Sequence, residues 1–249
     1  LYTVRPDGSG LHALADYVHQ PDYSPDGTRI VVDGVGGGKN DLWSLKYDGS
    51  NWQQWTRHPD DHFPTWSVNG QTIVFSSPRQ GDGVYRLYMG DSLVGTDKTK
   101  FIIGDYPVLL PNWEIVFNGC DYGWGTGARC GLWRVSKGYA PVRLTDNPQD
   151  IPTDGTAEDL LFLRPDGNNW DIYRAVLKTG SIVRLTDSPG RDGPAAFSPD
   201  GKTIAFLSDR SGSWALYTMN RQGGEVQKRL DLPLGGQYDA APDPWTSQR

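Results

Sequence analysis

Histidines and aspartates recur at one position of this sequence where they could act together on a ligand, a metal ion or a proton. The position lies just before a short repeated strand and is taken, to within one residue, by His19, His62, Asp105, Asp150 and Asp192. Converging imidazole and carboxylate groups bind metals and small ligands and carry protons. We therefore predict a ligand site here, with the metal question open. Polar residues at such loop–strand junctions also cap turns or face water, and that interpretation stays open too.

The two cysteines, Cys120 and Cys130, flank a Gly-rich stretch. Such a stretch would let two adjacent strands bring both sulfur atoms together. A disulfide here favours an oxidising, extracytoplasmic compartment, and a pair of unlinked thiols is the alternative. Tyr122 and Trp124 lie in this stretch and have no counterpart in the repeats described below. Because an inserted loop on a regular scaffold often carries function, we predict that these two aromatic residues bind a partner.

Composition and charge exclude several classes of function. The formal net charge is −6, and no Lys/Arg cluster is longer than a pair, so nucleic acid is not expected as a partner. No apolar run approaches the ~18–20 residues that span a bilayer, so direct membrane insertion is not expected either. A Gly-x-Ser-x-Gly elbow, a Walker motif and a zincin helix are all missing from the sequence. Catalysis is therefore not indicated, and we expect no cofactor.

An aliphatic–aromatic pair recurs along the chain at spacings of about 40–45 residues, which is typical of four-stranded propeller blades. The copies are Leu1-Tyr2, Leu42-Trp43, Leu87-Tyr88, Leu132-Trp133, Ile172-Tyr173 and Leu216-Tyr217. An aliphatic second strand precedes five of the pairs, and a turn such as Ser24-Pro25-Asp26-Gly27 precedes some of those strands. The 31 Gly and 18 Pro also favour short strands with tight turns. We predict an all-β chain whose aromatic pairs pack between neighbouring blades.

One copy of the repeat carries a family resemblance. Residues 194–217 contain Phe-Ser-Pro-Asp-Gly, then Ile-Ala-Phe, Ser-Asp-Arg and Leu-Tyr, and Leu-Thr closes several other copies. This pattern resembles the TolB-type β-propeller repeat family, which includes the periplasmic Tol-Pal component, sensor domains of kinases and non-catalytic propellers beside peptidase domains. The resemblance implies binding, docking or substrate gating.

The sequence departs from that family in two respects. The α/β domain that precedes the TolB propeller is missing, which argues against membership of a Tol-Pal system. The third and fourth units also lack the Ser-Pro-Asp-Gly turn and read Leu109-Leu110-Pro111-Asn112 and Asp154-Gly155-Thr156-Ala157 instead. We expect irregular or tighter first hairpins there.

We predict a single domain over residues 1–249, a six-bladed β-propeller of four-stranded antiparallel blades. The approximate blades are 17–60, 61–105, 106–150, 151–190, 191–236, and 237–249 together with 1–16. Both termini would close the sixth blade, which lacks one strand. We expect that the chain is an excerpt of a longer protein or that a neighbouring subunit donates that strand. A five-bladed ring with loose termini is the alternative.

A rigid ring with variable loops favours a non-catalytic binding or scaffolding module with protein partners, in an extracytoplasmic assembly or as a sensor domain. The alternative function is a hydrolase, a lyase or a small-ligand or metal binder that uses the polar residues before the first strands, which we expect to ring one mouth of the propeller's central channel.

Overall fold

The computed structural model describes residues 1–36, 39–97, 100–122 and 125–232, and every regular element in these ranges is a β-strand. The strands form five four-stranded antiparallel sheets, which we call blades 1 to 5, and two two-stranded sheets. The chain divides into two compact units. Unit 1 contains residues 1–3 and 12–148, and unit 2 contains residues 4–11 and 149–249.

Unit 1 holds blades 1 to 3 and both two-stranded sheets. Blade 1 consists of β3 (Val18–Tyr23), β4 (Arg29–Gly36), β5 (Lys39–Lys46) and β6 (Gln53–Gln54). Blade 2 consists of β7 (His62–Trp66), β8 (Ile73–Ser77), β9 (Arg86–Met89) and β10 (Ser92–Leu93). Blade 3 consists of β13 (Gly104–Leu109), β14 (Ile115–Cys120), β15 (Cys130–Val135) and β16 (Val142–Arg143). The small sheets pair β1 (Tyr2–Thr3) with β2 (His12–Ala13), and β11 (Gly95–Asp97) with β12 (Lys100–Phe101).

Unit 2 holds blades 4 and 5. Blade 4 consists of β17 (Ile151–Gly155), β18 (Asp159–Asp166), β19 (Asn169–Val176) and β20 (Ser181–Arg184). Blade 5 consists of β21 (Asp192–Phe197), β22 (Thr203–Ser208), β23 (Ala215–Asn220) and β24 (Gln227–Asp231). Within each of the five blades, strands that are consecutive in sequence pair with one another, so every blade is a meander.

The first hairpins follow the turn residues of the repeat. In blades 1, 2 and 5 a serine N–H donates to the carbonyl five residues later, from Ser24, Ser67 and Ser198. Blade 3 closes a shorter turn, from Leu110 N to the Glu114 carbonyl, and blade 4 a shorter one still, from Thr156 N to the Asp159 carbonyl (both 2.8 Å). The prediction of irregular or tighter first hairpins in these two blades is confirmed.

A threonine near the fourth strand ties that strand to the third; it belongs to the Leu-Thr motif in blades 3 and 4 and follows Trp55 in blade 1. Its hydroxyl accepts a hydrogen bond from the backbone N–H of the residue before the repeated aromatic. The three bonds run from Leu42 to Thr56 (3.1 Å), from Leu132 to Thr145 (3.0 Å) and from Ile172 to Thr186 (2.9 Å). The threonine thus satisfies a backbone donor just past the end of the strand ladder.

The cores lie between blades, as the sequence predicts. Within unit 1, Val31 and Leu42 of blade 1 pack with Trp66, Phe75 and Tyr88 of blade 2. Each blade from 2 to 5 buries the phenylalanine of its second strand almost completely: Phe75, Phe117, Phe162 and Phe206. Burial of such side chains stabilises the fold by about 1.5–3 kcal/mol each.

The number of blades differs from the prediction. The described residues form five four-stranded blades, so the expectation of six is wrong for this part of the chain. Residues 1–16 contribute the two strands β1 and β2, which pair with each other. The expected first strand of the sixth blade, at Pro244–Thr246, lies outside the described residues. None of the described residues forms a helix that is long and apolar enough to cross a membrane.

Candidate functional site

The first strand of every blade contains a β-bulge near its start, which re-aims the side chains there. In blades 1 to 3 the residue that follows His19, His62 or Asp105 has a left-handed backbone. These residues are Gln20 (φ 50°), Phe63 (φ 55°) and Tyr106 (φ 52°). Non-glycine residues rarely adopt this conformation, and bulky ones do so at a cost of about 1–3 kcal/mol. Each of these three blades therefore contains one strained backbone residue at its bulge.

His62 is the centre of a polar cluster in unit 1. Its Nδ1 donates to Asp33 Oδ2 across the junction of blades 1 and 2 (2.7 Å), with 25% of the His62 side chain and 11% of the Asp33 side chain exposed. The Tyr85 ring lies 6.4 Å from the imidazole ring. Asp105 accepts hydrogen bonds from Ser76 Oγ and from the Tyr106 N–H. The cluster thus joins side chains of three consecutive blades.

The strained residues are themselves part of these junctions. Gln20 Oε1 accepts a hydrogen bond from the Phe63 N–H (3.0 Å), and the rings of Phe63 and Tyr106 lie 4.1 Å apart. The left-handed backbone is therefore held by contacts to the next blade along the chain.

The pKa values of the cluster are shifted by burial and by mutual charge. Burial lowers the pKa of His62, but the hydrogen bond to Asp33 and the charges of Asp33, Asp105 and Asp60 outweigh it, so the pKa lies above its ordinary value. Burial raises the pKa of Asp105 despite its hydrogen bonds. Burial and the same carboxylates raise the pKa of Tyr85. His62 is therefore held toward its protonated, positively charged form.

This arrangement provides an imidazole oriented by a carboxylate, which can donate or accept a proton or hold a polar ligand. In the described ranges, no group of three or more His, Cys, Asp or Glu side chains is placed to hold a metal ion. His19 is exposed on β3, where it pairs with Asp33 across the sheet.

Asp150 and Asp192 lie in a different environment in unit 2. Both are buried, and each is paired with an arginine of its own blade: Asp150 with Arg164 through two bonds of 2.7 Å, and Asp192 with Arg210 (2.9 Å). Blade 2 contains the same pair, Asp61 with Arg79. The guanidinium in each pair also lies over the second-strand phenylalanine and the third-strand tyrosine, at 4.5–5.3 Å from the ring centroids.

The strand register shows that these acids are not the counterparts of His62 in their blades. His62 pairs with the residue after Phe75, and the residue after Phe162 pairs with Ile151. Ile151 is therefore the counterpart of His62, and Asp150 is the counterpart of Asp61. The sequence alignment missed Asp33 and the Arg partners, although Asp33 directly follows the aliphatic residues Ile30–Val32 of the second strand and Arg210 ends the Ser-Asp-Arg motif.

The loop between β14 and β15 is the second candidate site. Cys120 and Cys130 face each other across the two strands and form a disulfide, so the predicted pairing is confirmed. Inside the loop, the buried carboxylate of Asp121 accepts bonds from Arg129 Nε (2.9 Å), the Arg129 N–H (3.2 Å) and the Thr126 N–H (3.3 Å). Burial raises the pKa of Asp121, but these bonds lower it below its ordinary value.

The loop contains two aromatic residues, Tyr122 and Trp124. Tyr122 is 49% exposed. Trp124 lies outside the described residues. In an antiparallel meander the first strand starts at the end of the blade where the second strand finishes and the third starts. The loop between β14 and β15 therefore emerges at the same end of blade 3 as Asp105.

Comparison with known proteins places this fold. No family model matches the chain. The uncharacterized peptidase YuxL of Bacillus subtilis is 40% identical over 101 residues, which are 39% of this chain and 15% of that protein. The Tol-Pal system protein TolB of Francisella tularensis subsp. mediasiatica is 29% identical over 85 residues, which are 33% of this chain and 20% of that protein.

Among solved structures, TolB from Acinetobacter baumannii superposes with a TM-score of 0.76 at 18% identity, over 94% of this chain and 60% of that chain. The chain thus spans less than two thirds of each of these three proteins. The strand order, the repeated motifs and these matches agree, and the predicted resemblance is confirmed: the chain is a β-propeller of four-stranded blades that resembles the TolB-type propeller repeat family.

Proposed function

We propose that this chain is a non-catalytic protein-binding propeller, and that its partner contacts the loop of residues 121–129. The observation that carries the proposal is the loop itself, because it interrupts a regular repeat and is fixed at its base by the Cys120–Cys130 disulfide. The buried Asp121 fixes it a second time from inside. A loop whose ends are held in this way loses less conformational entropy on binding than an untethered one, which favours affinity.

The exposed side chain at this loop suits an interface. Tyr122 offers a large, rigid and amphipathic surface, and tyrosine is enriched at binding hot spots. The likeness to a Tol-Pal system protein favours a role in protein assembly. A disulfide is stable in an oxidising compartment, so we place this module in an extracytoplasmic assembly or in a sensor domain, as one domain over residues 1–249.

The test is capture of extracytoplasmic proteins of the source organism by the immobilised chain, with quantitative mass spectrometry. We expect at least one protein to be retained by the wild type and lost by at least tenfold on Tyr122→Ala. Tyr139→Ala is the matched control, because Tyr139 is 72% exposed in the hairpin at the opposite end of blade 3. Equal capture by the wild type and both variants would contradict the proposal.

A second candidate function is ligand binding or hydrolase or lyase chemistry at His62. The bond from His62 to Asp33 favours it, since a carboxylate that orients an imidazole is a common general-base arrangement. The test is a screen of sugar-acid, ester and peptide substrates and ligands on the wild type and on His62→Gln. Turnover or binding that is lost in His62→Gln, with folding intact by circular dichroism, supports this candidate. Turnover or binding that is unchanged in the variant rejects it.

A further inference from the structure

The fourth strands of three blades place a long polar side chain opposite the repeated aromatic of the third strand. The residues are Gln54 opposite Trp43, Arg143 opposite Trp133 and Arg184 opposite Tyr173. In blades 1 and 4 this side chain has an acidic partner two residues before the aromatic. Gln54 donates to Asp41 (2.6 Å), and Arg184 donates to Asp171 (2.6 Å), both of them buried aspartates.

Blade 3 has the arginine without the acid. Gly131 occupies the position of Asp41 and Asp171, and no side chain fits there, because a Cβ atom would lie 2.2 Å from the Thr145 carbonyl oxygen. The φ of Gly131, +144°, also disfavours any other residue. The local backbone of blade 3 therefore excludes the carboxylate that blade 4 supplies to the equivalent arginine.

Arg143 is consequently under-bonded. Its Nη2 donates to the Cys130 carbonyl (2.7 Å), while its Nε is buried and has no hydrogen-bond partner in the part of the chain that the structure describes. Within those same residues it forms no ion pair, in contrast to Arg184. Because Arg143 lacks the acid that pairs with Arg184, a carboxylate that reaches its guanidinium forms a charge-assisted hydrogen bond without displacing an internal partner.

A second guanidinium lies beside the same tryptophan. Arg129 is 60% exposed, and its guanidinium carbon lies 5.6 Å from the Trp133 ring, the residue directly opposite Arg143. Asp121 uses only the Nε edge of Arg129 and holds the side chain in place. Two arginines thus lie at Trp133, and Tyr122 follows Asp121 in the loop that begins beside them.

We infer that this end of blade 3, formed by Tyr122, Arg129 and Arg143, binds the carboxylate of an Asp or Glu side chain in an extended segment of the protein partner. This inference rests on the proposed function and names the chemistry of the partner. Arg143 turns toward the incoming carboxylate as Arg184 does toward Asp171, and an apolar residue of the same segment packs on Tyr122. Because the chain as a whole is negative, an acidic segment gains affinity here only through these local arginines.

The experiment selects peptides from a random display library on the whole immobilised, disulfide-intact chain, and measures their dissociation constants by fluorescence polarisation. The variants are Arg143→Gln, Arg143→Lys and Tyr122→Ala. Arg134→Gln is the control, since Arg134 lies next to Trp133 but pairs with Glu114. Each selected peptide is also made with Asp and Glu replaced by Asn and Gln, and unfolding curves verify that the variants fold.

We expect enriched peptides to contain Asp or Glu and to bind at least tenfold more weakly to Arg143→Gln, with partial retention in Arg143→Lys and no change in Arg134→Gln. Replacing Asp and Glu of the peptides by Asn and Gln should weaken binding, and raising the NaCl concentration from 50 to 500 mM should weaken the binding of the acidic peptides to a similar extent. Peptides that need Tyr122 but tolerate Arg143→Gln, or that bind equally well as amides, would overturn the inference and leave the proposed function standing. Acidic peptides that need Arg143 but not Tyr122 would support the carboxylate site and count against the proposed loop contact. No enrichment at all would overturn both.

Discussion

Blades 3 and 4 follow the same repeat and differ most where the second strand passes to the third. In blade 4 this connection is a tight hairpin in which Asp166 pairs with Asn169, and the nearby arginines bind the buried acids Asp150 and Asp171. In blade 3 the connection is the disulfide-closed loop, and Arg143 has no acid beside it among the described residues. Blade 4 thus pairs two of its buried acids with arginines, whereas blade 3 has a disulfide-closed loop and an arginine that forms no ion pair among the described residues. Under the proposed function, the first arrangement serves stability and the second serves binding.

The largest effect on stability should come from removing the arginine that pairs with a buried acid in blade 4. Arg164→Gln in blade 4 leaves the buried Asp150 without its charged partner and should lower the free energy of unfolding by about 3 kcal/mol. Arg143→Gln in blade 3 removes a cation that has no acid partner and should change it by less than about 1 kcal/mol. Urea unfolding of both variants measures the contrast. An equal loss in both would mean that Arg143 is as structural as Arg164.

Opening the disulfide should affect blade 3 by a slightly smaller amount. Cys120 and Cys130 are 10 residues apart, and a cross-link closing a loop of this size contributes about 2–3 kcal/mol. Unfolding of the double variant Cys120→Ser/Cys130→Ser, compared with the wild type, gives the value. The double variant should also bind the captured partner more weakly, because the ends of its loop are no longer cross-linked before binding. Unchanged partner affinity would show that preorganisation of the loop is irrelevant.

A smaller effect concerns the junction of blades 1 and 2. Asp22 accepts hydrogen bonds from the Trp66 N–H (2.7 Å) and Thr65 Oγ1 (3.0 Å), and burial raises its pKa to about 6. A carboxyl whose folded pKa exceeds its unfolded value destabilises the fold as it ionises. The free energy of unfolding should therefore fall, by about 1–3 kcal/mol, as the pH rises from about 4 to 6.

The control for this pH dependence is Asp22→Asn, which keeps an acceptor for the Trp66 N–H but does not ionise. Its stability should be flatter than that of the wild type between pH 4 and 6 in parallel urea titrations. Asp154 accepts the Phe197 N–H (2.7 Å) at the equivalent place in unit 2, so Asp154→Asn shows what the same change does in another blade. A wild-type slope that survives in Asp22→Asn would assign the dependence to other groups.

The sequence was a good guide wherever local periodicity decides the structure. Strand spacing, the Ser-Pro-Asp-Gly turns, the Leu-Thr motif and the cysteine pair all act over a few residues or across one hairpin. The Asp–Arg pairs join residues 14 to 18 apart on either side of a hairpin, and proline alignment put Asp150 one residue out of register with them. The bond from His62 to Asp33 joins different blades, so no pattern within one repeat predicts it. The sixth blade was inferred from two strands and distant residues, and the described residues form five.

Hydrogen–deuterium exchange of the complex with the captured partner tests whether blade 3 is the binding surface, because it reports protection along the whole backbone at once. We expect added protection in peptides that cover residues 120–130 and 142–145, and none in the blade 4 hairpin at residues 165–170. Protection confined to that hairpin, or to the residues around His62, would contradict the assignment of blade 3 as the binding surface.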